Sequence, residues 1–322
     1  MSSIRGVLAL ALSAFSTETV RRTALCKSLG ILTRLRSEDG SGVAIVDPRM
    51  SSNAPGKIML TREQLGHFAN HGWVIRKRVF GAEFIDTCRR VMDETAATQP
   101  AHHADDETVT ILGLVNHHEL YRDLLLHPML LENSRQLMGT DLTHRIAWMI
   151  IKKPHPERHQ KRNDLTNPKN LGWHRDMRPK WGTFADDQDP GLVNCLLINC
   201  MVAVTDIGPD DGGTMALDGS HKIEGDPESL LEKCPLAQLE APRGSVIYFP
   251  ETLMHSAVPI LSEATRYVLF FAFVPPWFKV WQNCDVRQEI VDSYDGDVRS
   301  IVGGNDGWGY PGQHPIAADD GS

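Results

Sequence analysis

The stretch RGSVIYFPETLMHSAVPILSEATRYVLFFAFVP (residues 243–275) holds two long apolar runs rich in β-branched and aromatic residues, GSVIYFP (244–250) and TRYVLFFAFVP (265–275). A histidine, His255, lies between them, followed by loop-forming Ser and Pro. Runs of this composition, bounded by Gly, Pro and Asp, read as strands. Three more precede them: HRIAWMIIKK (144–153), VNCLLINCMVAVTD (193–206) and GGTMALD (212–218). A back half built of strands and irregular loops is the pattern of a β-barrel or sandwich.

Upstream the period changes. LTREQLGHFANHG (60–72) places Leu65, Phe68 and Ala69 on one helical face, with Thr61 as N-cap and Gly72 as stop. WVIRKRVF (73–80) reads as a strand, and AEFIDTCRRVMDE (82–94) as an amphipathic helix with Phe84, Ile85, Cys88, Val91 and Met92 on its apolar face. ELYRDLLLHPMLLENSRQLMG (119–139) is helical except at Pro128, and GDPESLLEKC (225–234) reads as a short helix between strands. The expected class is α+β, mainly β, with N-terminal helices packed on one side of a barrel spanning residues 56–300. An extension (1–55) and a tail (301–322) flank it. No strand–helix alternation, Walker A loop or GxGxxG fingerprint is present, which argues against a doubly wound nucleotide-binding fold.

The 322 residues carry 33 bases and 41 acids, a formal charge of −8, which argues against a general nucleic-acid partner. The six cysteines form no CxxC pair and sit in apolar stretches, so they read as buried, reduced thiols. No apolar run reaches the length of a membrane span. Residues 1–37 hold six bases against Glu18, a net +5. Four readings fit: an organellar transit peptide, a short secretory signal, a plain extension, or a misplaced start ahead of Met50. The expected location is cytoplasmic, or mitochondrial if the leader is a transit peptide.

Two H-x-D triplets occur, His103-Ala104-Asp105 in a polar loop and His174-Arg175-Asp176 among the β runs. Residues two apart on a strand project from one face, so His174 and Asp176 can both reach one metal ion, with His255 the candidate third ligand. Two imidazoles and one carboxylate on one face leave coordination positions open, the facial arrangement of non-haem Fe(II) oxygenases.

GWHRDM (172–177), DDGGTMALDGSHK (210–222) and RGSVIYFPETLMHSAVPILSEATRY (243–267) resemble, in order and spacing, the phytanoyl-CoA dioxygenase family of Fe(II)/2-oxoglutarate oxygenases. The similarity runs from about Leu60 to about Pro276. It implies a double-stranded β-helix, a jelly-roll barrel with the metal near its open end. It also implies Fe(II), 2-oxoglutarate and O2 as cofactors and co-substrates, with His174, Asp176 and His255 as catalytic iron ligands. Arg266, eleven residues after His255, matches the arginine that grips the distal carboxylate of 2-oxoglutarate, a role suited to a two-pronged guanidinium. Met149 and Met201 align with residues lining the co-substrate pocket, and Asn199, two before Met201, is a further polar candidate. Where the family often has a hydroxyl residue, two after the distal histidine, this chain has Ala257. With Asp176 in place, halogenation is not expected. The implied reaction is hydroxylation of a C–H bond with release of succinate and CO2, desaturation or ring closure being other outcomes of the same chemistry.

Between residues 152 and 180 nine bases face three acids. A basic loop leading into the metal strand is expected to attract an anionic small molecule, such as a carboxylic acid or an acyl thioester of CoA, or else to be a solvated face. The histidines at 102, 103, 117 and 118 read as a polar surface loop. The competing reading is a cupin-like metalloprotein, a hydrolase, isomerase or binding module; Arg266 argues against it, because metal chemistry alone has no need of that clamp.

Overall fold

In a computed structural model the chain is described over residues 58–139, 141–176, 195–278 and 285–303. The backbone of two short segments, Thr33–Leu35 and Ala44–Val46, which pair antiparallel, is described as well. The chain divides into units of residues 1–54 and 55–322. The leader and tail expected from sequence otherwise lie outside the described residues.

In chain order the second unit runs α1 (Arg62–His71), β1 (Val74–Arg76), α2 (Ala82–Thr98), β2 (His103–Ala104), β3 (Thr108–Leu112), α3 (Glu119–Leu125), α4 (Pro128–Met138) and β4 (Thr143–Lys152). There follow α5 (Arg162–Leu165), β5 (Ile198–Ala203), β6 (Thr214–Leu217), α6 (Pro227–Lys233), β7 (Leu236–Leu239), β8 (Val246–Pro250), β9 (His255–Ala257), β10 (Arg266–Val274), α7 (Gln288–Val291) and α8 (Gly296–Gly303).

The helices start and stop where local chemistry dictates. Thr61 and Gln64 form a reciprocal capping box at the start of α1, and Gly72 ends it at φ 80°. A Cβ on Gly72 would lie 2.5 Å from His221 Nδ1, so the close approach and the positive φ both call for glycine. Pro128 opens α4 rather than kinking one long helix, with the His127 side chain as its N-cap. The strand expected over 73–80 shortens to β1.

Seven antiparallel strands form the major sheet in the order β1-β8-β5-β10-β4-β3-β2, and three form the minor sheet in the order β9-β6-β7. The inner faces pack together: Met201, Ala203, Ile247, Phe249, Val268 and Phe270 of the major sheet meet Ala216 and Leu239 of the minor sheet, with Trp148 and Ile150 against them. The opposite face of the major sheet lies under helices, so all nine residues of β10 are buried. Coverage on both faces is why the central strands read as continuous apolar runs rather than alternating ones. Each such Phe, Ile or Leu contributes roughly 1.5–3 kcal/mol by burial. This is the jelly-roll, double-stranded β-helix architecture the sequence implied. α8 runs across residue 300, with the Thr143 hydroxyl donating to the carbonyl of Ser300 at 3.0 Å, so packed structure continues past the expected boundary.

The sequence gives no clear sign of β2, β3, β7, β9, α5, α7 or α8. His103 and Thr108–Leu112 lie in a hairpin at the edge of the major sheet rather than in a loop, and Leu236–Leu239 forms the third strand of the minor sheet. Cys88, Cys195, Cys200 and Cys234 are buried free thiols, as expected. Among the described residues no helix is long and apolar enough to cross a membrane.

Candidate metal centre

His174 lies on the segment ahead of β5 and His255 opens β9. Their backbones form a two-way bridge, His174 N to His255 O at 2.9 Å and His255 N to His174 O at 3.0 Å. Asp176 is held one step on, its N–H donating to the carbonyl of Glu251 at 3.2 Å. The triplet is thereby pinned along the segment from the turn after β8 to the start of β9. Ligand atoms of His174, Asp176 and His255 all lie within 4.8 Å of one another.

The hydrogen bonds decide which atoms are free. Nδ1 of His174 is 2.9 Å from the carbonyl of Gly172, and Nδ1 of His255 is 2.9 Å from the carbonyl of Leu253. A carbonyl only accepts, so in each neutral ring the proton sits on Nδ1 and the Nε2 lone pair is exposed. Burial lowers the pKa of His255, with His174 acting in the same direction and Asp176 opposing, which favours the neutral imidazole that ligates. Asn199 Nδ2 donates to Asp176 Oδ2 at 2.5 Å, leaving Oδ1 toward the two Nε2 atoms, 3.8 Å from His174 and 3.7 Å from His255. Two ligands each about 2.1 Å from an ion lie at most about 4.2 Å apart, a limit that both carboxylate–imidazole distances meet. The donor set and its orientation fit Fe(II). His174 is about half exposed and His255 almost fully buried, so the centre opens on the His174 side.

Two sequence motifs prove to be supports. In GSHK, the Ser220 hydroxyl accepts from the N–H of Met254 at 2.9 Å, and the Ser220 carbonyl accepts from Arg175 Nη2 at 2.9 Å. One serine thus holds the residue before His255 and the residue between His174 and Asp176. Glu251, unnoticed in the sequence despite being an acid within an apolar run, accepts from the N–H groups of Leu196 and Leu197 at 3.0 and 2.9 Å. Burial pushes its carboxyl up to about 7. Its side chain fixes the start of β5, which carries Asn199, while its carbonyl fixes Asp176.

Arg266 is buried at the start of β10, directly across from Lys152 of β4. Its Nε has no hydrogen-bond partner and no carboxylate pairs with it among the described residues. Burial pulls its pKa down to about 10, leaving it charged at neutral pH. A buried guanidinium with no carboxylate partner among the described residues has the chemistry to take an anion.

Met201 lies on the inner face, and the Thr214 hydroxyl points at its sulfur at 3.8 Å. Met149 does not fulfil its expectation. Its neighbours Trp148 and Ile150 face the interior, so by strand alternation its side chain faces the helices, where the Tyr121 hydroxyl lies 3.9 Å from its sulfur. Asn199 was expected among the co-substrate contacts; it is bonded to Asp176 instead. The loop cations also differ from expectation. Arg158 is held by both oxygens of Glu263 at 2.6 and 2.5 Å, Lys161 by Glu157 at 2.6 Å and Arg162 by Asp210 at 2.6 Å. These three charges are engaged within the loop or with its neighbours. Of the four front histidines, His103 pairs with Asp105 at 2.9 Å and His118 caps α3, and no metal cluster includes them among the described residues.

Residues 68–268 match the phytanoyl-CoA dioxygenase (PhyH) family. Among solved structures, the fold is similar to HygX from Streptomyces hygroscopicus with nickel and 2-oxoglutarate bound, at a TM-score of 0.55 and 21% identity over 69% of this chain and 90% of that one. It is similar also to SnoN, a non-haem α-ketoglutarate-dependent epimerase from nogalamycin biosynthesis, at 0.54 and 14% over 69% and 84%. The carbocyclase SnoK of the same biosynthesis gives 0.52 and 17% over 67% and 85%. The family match spans well over half of the chain and contains His174, Asp176, His255 and Arg266: the chain belongs to the phytanoyl-CoA dioxygenase family and is an Fe(II)- and 2-oxoglutarate-dependent oxidoreductase.

Proposed function

We propose that the protein hydroxylates an aliphatic C–H bond of a small molecule, using O2 and 2-oxoglutarate and releasing succinate and CO2. The observation that carries this reading is the pairing of a preoriented His174–Asp176–His255 cluster with a buried arginine, Arg266, that has no counter-ion among the described residues. His174 and His255 would hold Fe(II) through Nε2 and Asp176 through Oδ1, with Arg266 taking the distal carboxylate of the co-substrate. When bound, iron with 2-oxoglutarate supplies the oxidising power that breaks an unactivated C–H bond.

The protein's own part is positioning. Asn199 holds one carboxylate oxygen of Asp176 away from the ligand set. Phe249 packs edge-on against His255, with ring centroids 5.0 Å apart, and screens its buried side from water. Trp148 and Phe270, stacked in parallel at 4.5 Å, form an apolar inner wall. The substrate would enter over the exposed ring of His174.

A structure of HygX holds hygromycin B, and SnoN and SnoK are named an epimerase and a carbocyclase. Substrate placement, rather than the metal set, then decides whether the radical is hydroxylated or rearranged. The test is optical. Anaerobic protein with Fe(II) and 2-oxoglutarate is expected to give a weak visible charge-transfer band that disappears in His174→Ala. Absence of the band in the wild-type protein would refute the reading.

A further inference from the structure

The turn that follows β6 is gripped from two sides. Toward the metal, Ser220 holds the N–H of Met254 and Arg175 Nη2, and the same Nη2 reaches the carbonyl of Ile223 at 2.7 Å. On the other side lies the C-terminal end of α1. Both oxygens of the Asp218 carboxylate accept from there, Oδ2 from His71 Nδ1 at 2.7 Å and Oδ1 from the indole N–H of Trp73 at 2.9 Å. His67 stacks on His71 with ring centroids 4.2 Å apart and stands edge-on to Trp73 at 4.4 Å, which packs both donors in place. The main chain joins in. Gly219 N–H donates to the carbonyl of His71 at 3.0 Å, and His221 Nε2 to that of Ala69 at 3.1 Å. Gly219, at φ 75°, lets the turn come close: a Cβ there would lie 3.4 Å from the carbonyl oxygen of Asn70.

A carboxylate that takes two donors from a separate element fixes how that element sits, because bonds to a charged acceptor are short, directional and about twice as strong as neutral ones. The segment of His174 and Asp176 has a single bridge to β9, and Arg175 between them leans on the turn that Asp218 begins. We infer that Asp218 is a positioning residue for the metal centre. By docking α1 on residues 217–223 it fixes the turn from which Ser220 sets the spacing between the His174–Asp176 segment and His255. The inference rests on the iron reading of that centre and is independent of which substrate is oxidised. Coupling between two sites is reciprocal. Metal binding must therefore tighten α1 in turn, although α1 supplies none of the three ligands.

The test joins two readouts on the full chain, metal-free and loaded with Fe(II) without oxygen. In the wild-type protein, amide hydrogen exchange over α1 is expected to slow about threefold or more on Fe(II) binding. Competition against a chromophoric chelator is expected to show Fe(II) bound about tenfold more weakly by Asp218→Ala and about threefold more weakly by His71→Ala. The double variant is expected to be no weaker than Asp218→Ala alone, because His71 acts through Asp218. Asp218→Asn, which still accepts from Trp73, is expected to fall between Asp218→Ala and wild type. An Fe(II) Kd within about twofold of wild type in Asp218→Ala, whatever its Tm, marks a merely structural role and overturns the inference. So do additive effects of the two substitutions, and so does exchange over α1 that is indifferent to the metal in the wild-type protein. Should Asp218→Ala fail to fold, His71→Ala carries the affinity comparison, and the wild-type exchange measurement stands without any variant. A wild-type protein that binds no Fe(II) overturns the iron reading itself, and so is told apart from failure of Asp218 alone.

Discussion

Asn199→Ala isolates the contact that orients the carboxylate of the metal centre. Asn199 Nδ2 donates to Asp176 Oδ2 at 2.5 Å, and with that oxygen held, Oδ1 faces the two imidazole Nε2 atoms at 3.7 and 3.8 Å. A hydrogen bond to an ionised carboxylate contributes about 1.5–3 kcal/mol. If it is realised only when Asp176 points at the metal, its loss weakens metal affinity roughly 10- to 100-fold, the range for partners that orient metal ligands. Asn199 is 1% exposed and its own Oδ1 has no partner, so removing the amide leaves no new orphan on the asparagine side. The assay is anaerobic competition of Fe(II) against a chromophoric chelator, with the Tm of the metal-free protein as a folding control. Asn199→Asp supplies the opposite sign: a second carboxylate against Asp176 repels it and is expected to weaken binding further at neutral pH unless one of the two takes up a proton. A metal Kd within twofold of wild type in Asn199→Ala, at unchanged Tm, would show that Asp176 is oriented by its backbone bond to Glu251 alone.

Charge reversal in the basic loop and the response to acid test two other parts of the structure. Arg158→Glu breaks the two-pronged bond to Glu263; because Glu263 is mostly exposed, the expected cost is below about 1 kcal/mol. Faster hydrogen exchange over residues 155–170, restored by adding Glu263→Arg, is the expected signature, while a tenfold rise in substrate KM with exchange unchanged would return the loop to an anion-binding role. His221 is buried against the carbonyl of Ala69, and burial lowers its pKa to about 4 from 6.5. The unfolded chain therefore binds a proton that the folded chain refuses, so this contribution is present above pH 6.5 and is lost as pH falls toward 4, by roughly 3 kcal/mol at most. His144, lowered to about 3 by burial, acts in the same direction, so His221→Gln is expected to flatten the fall of Tm between pH 6.5 and 4 without abolishing it; an unchanged slope would mean that His221 titrates normally in the fold.

What could be read in the sequence, and what could not, follows from where each interaction stores its information. The central strands β4, β5, β8 and β10 were legible because burial on both faces demands long apolar runs. β7 was not, because LAQL is short and only Leu239 of its four residues is fully buried; nor was the hairpin of β2 and β3, an edge whose residues are mostly exposed or half-exposed. Met149 illustrates how sharp strand parity is: a shift of one position turns a side chain from the metal's chamber to the helical layer. The loop cations were countable, but two of their partners, Glu263 and Asp210, lie 105 and 48 residues away in the chain, so whether the charge was free was not. The metal ligands stood out because few residue types can bind iron. What makes them ligands, however, is main-chain chemistry: each histidine is set by the carbonyl two residues before it, Gly172 for His174 and Leu253 for His255. Any residue offers a carbonyl, so that contact leaves no mark in the sequence. The triplet and the distal histidine name the ions the site can hold; only the two-way bridge between their backbones brings the lone pairs to one point.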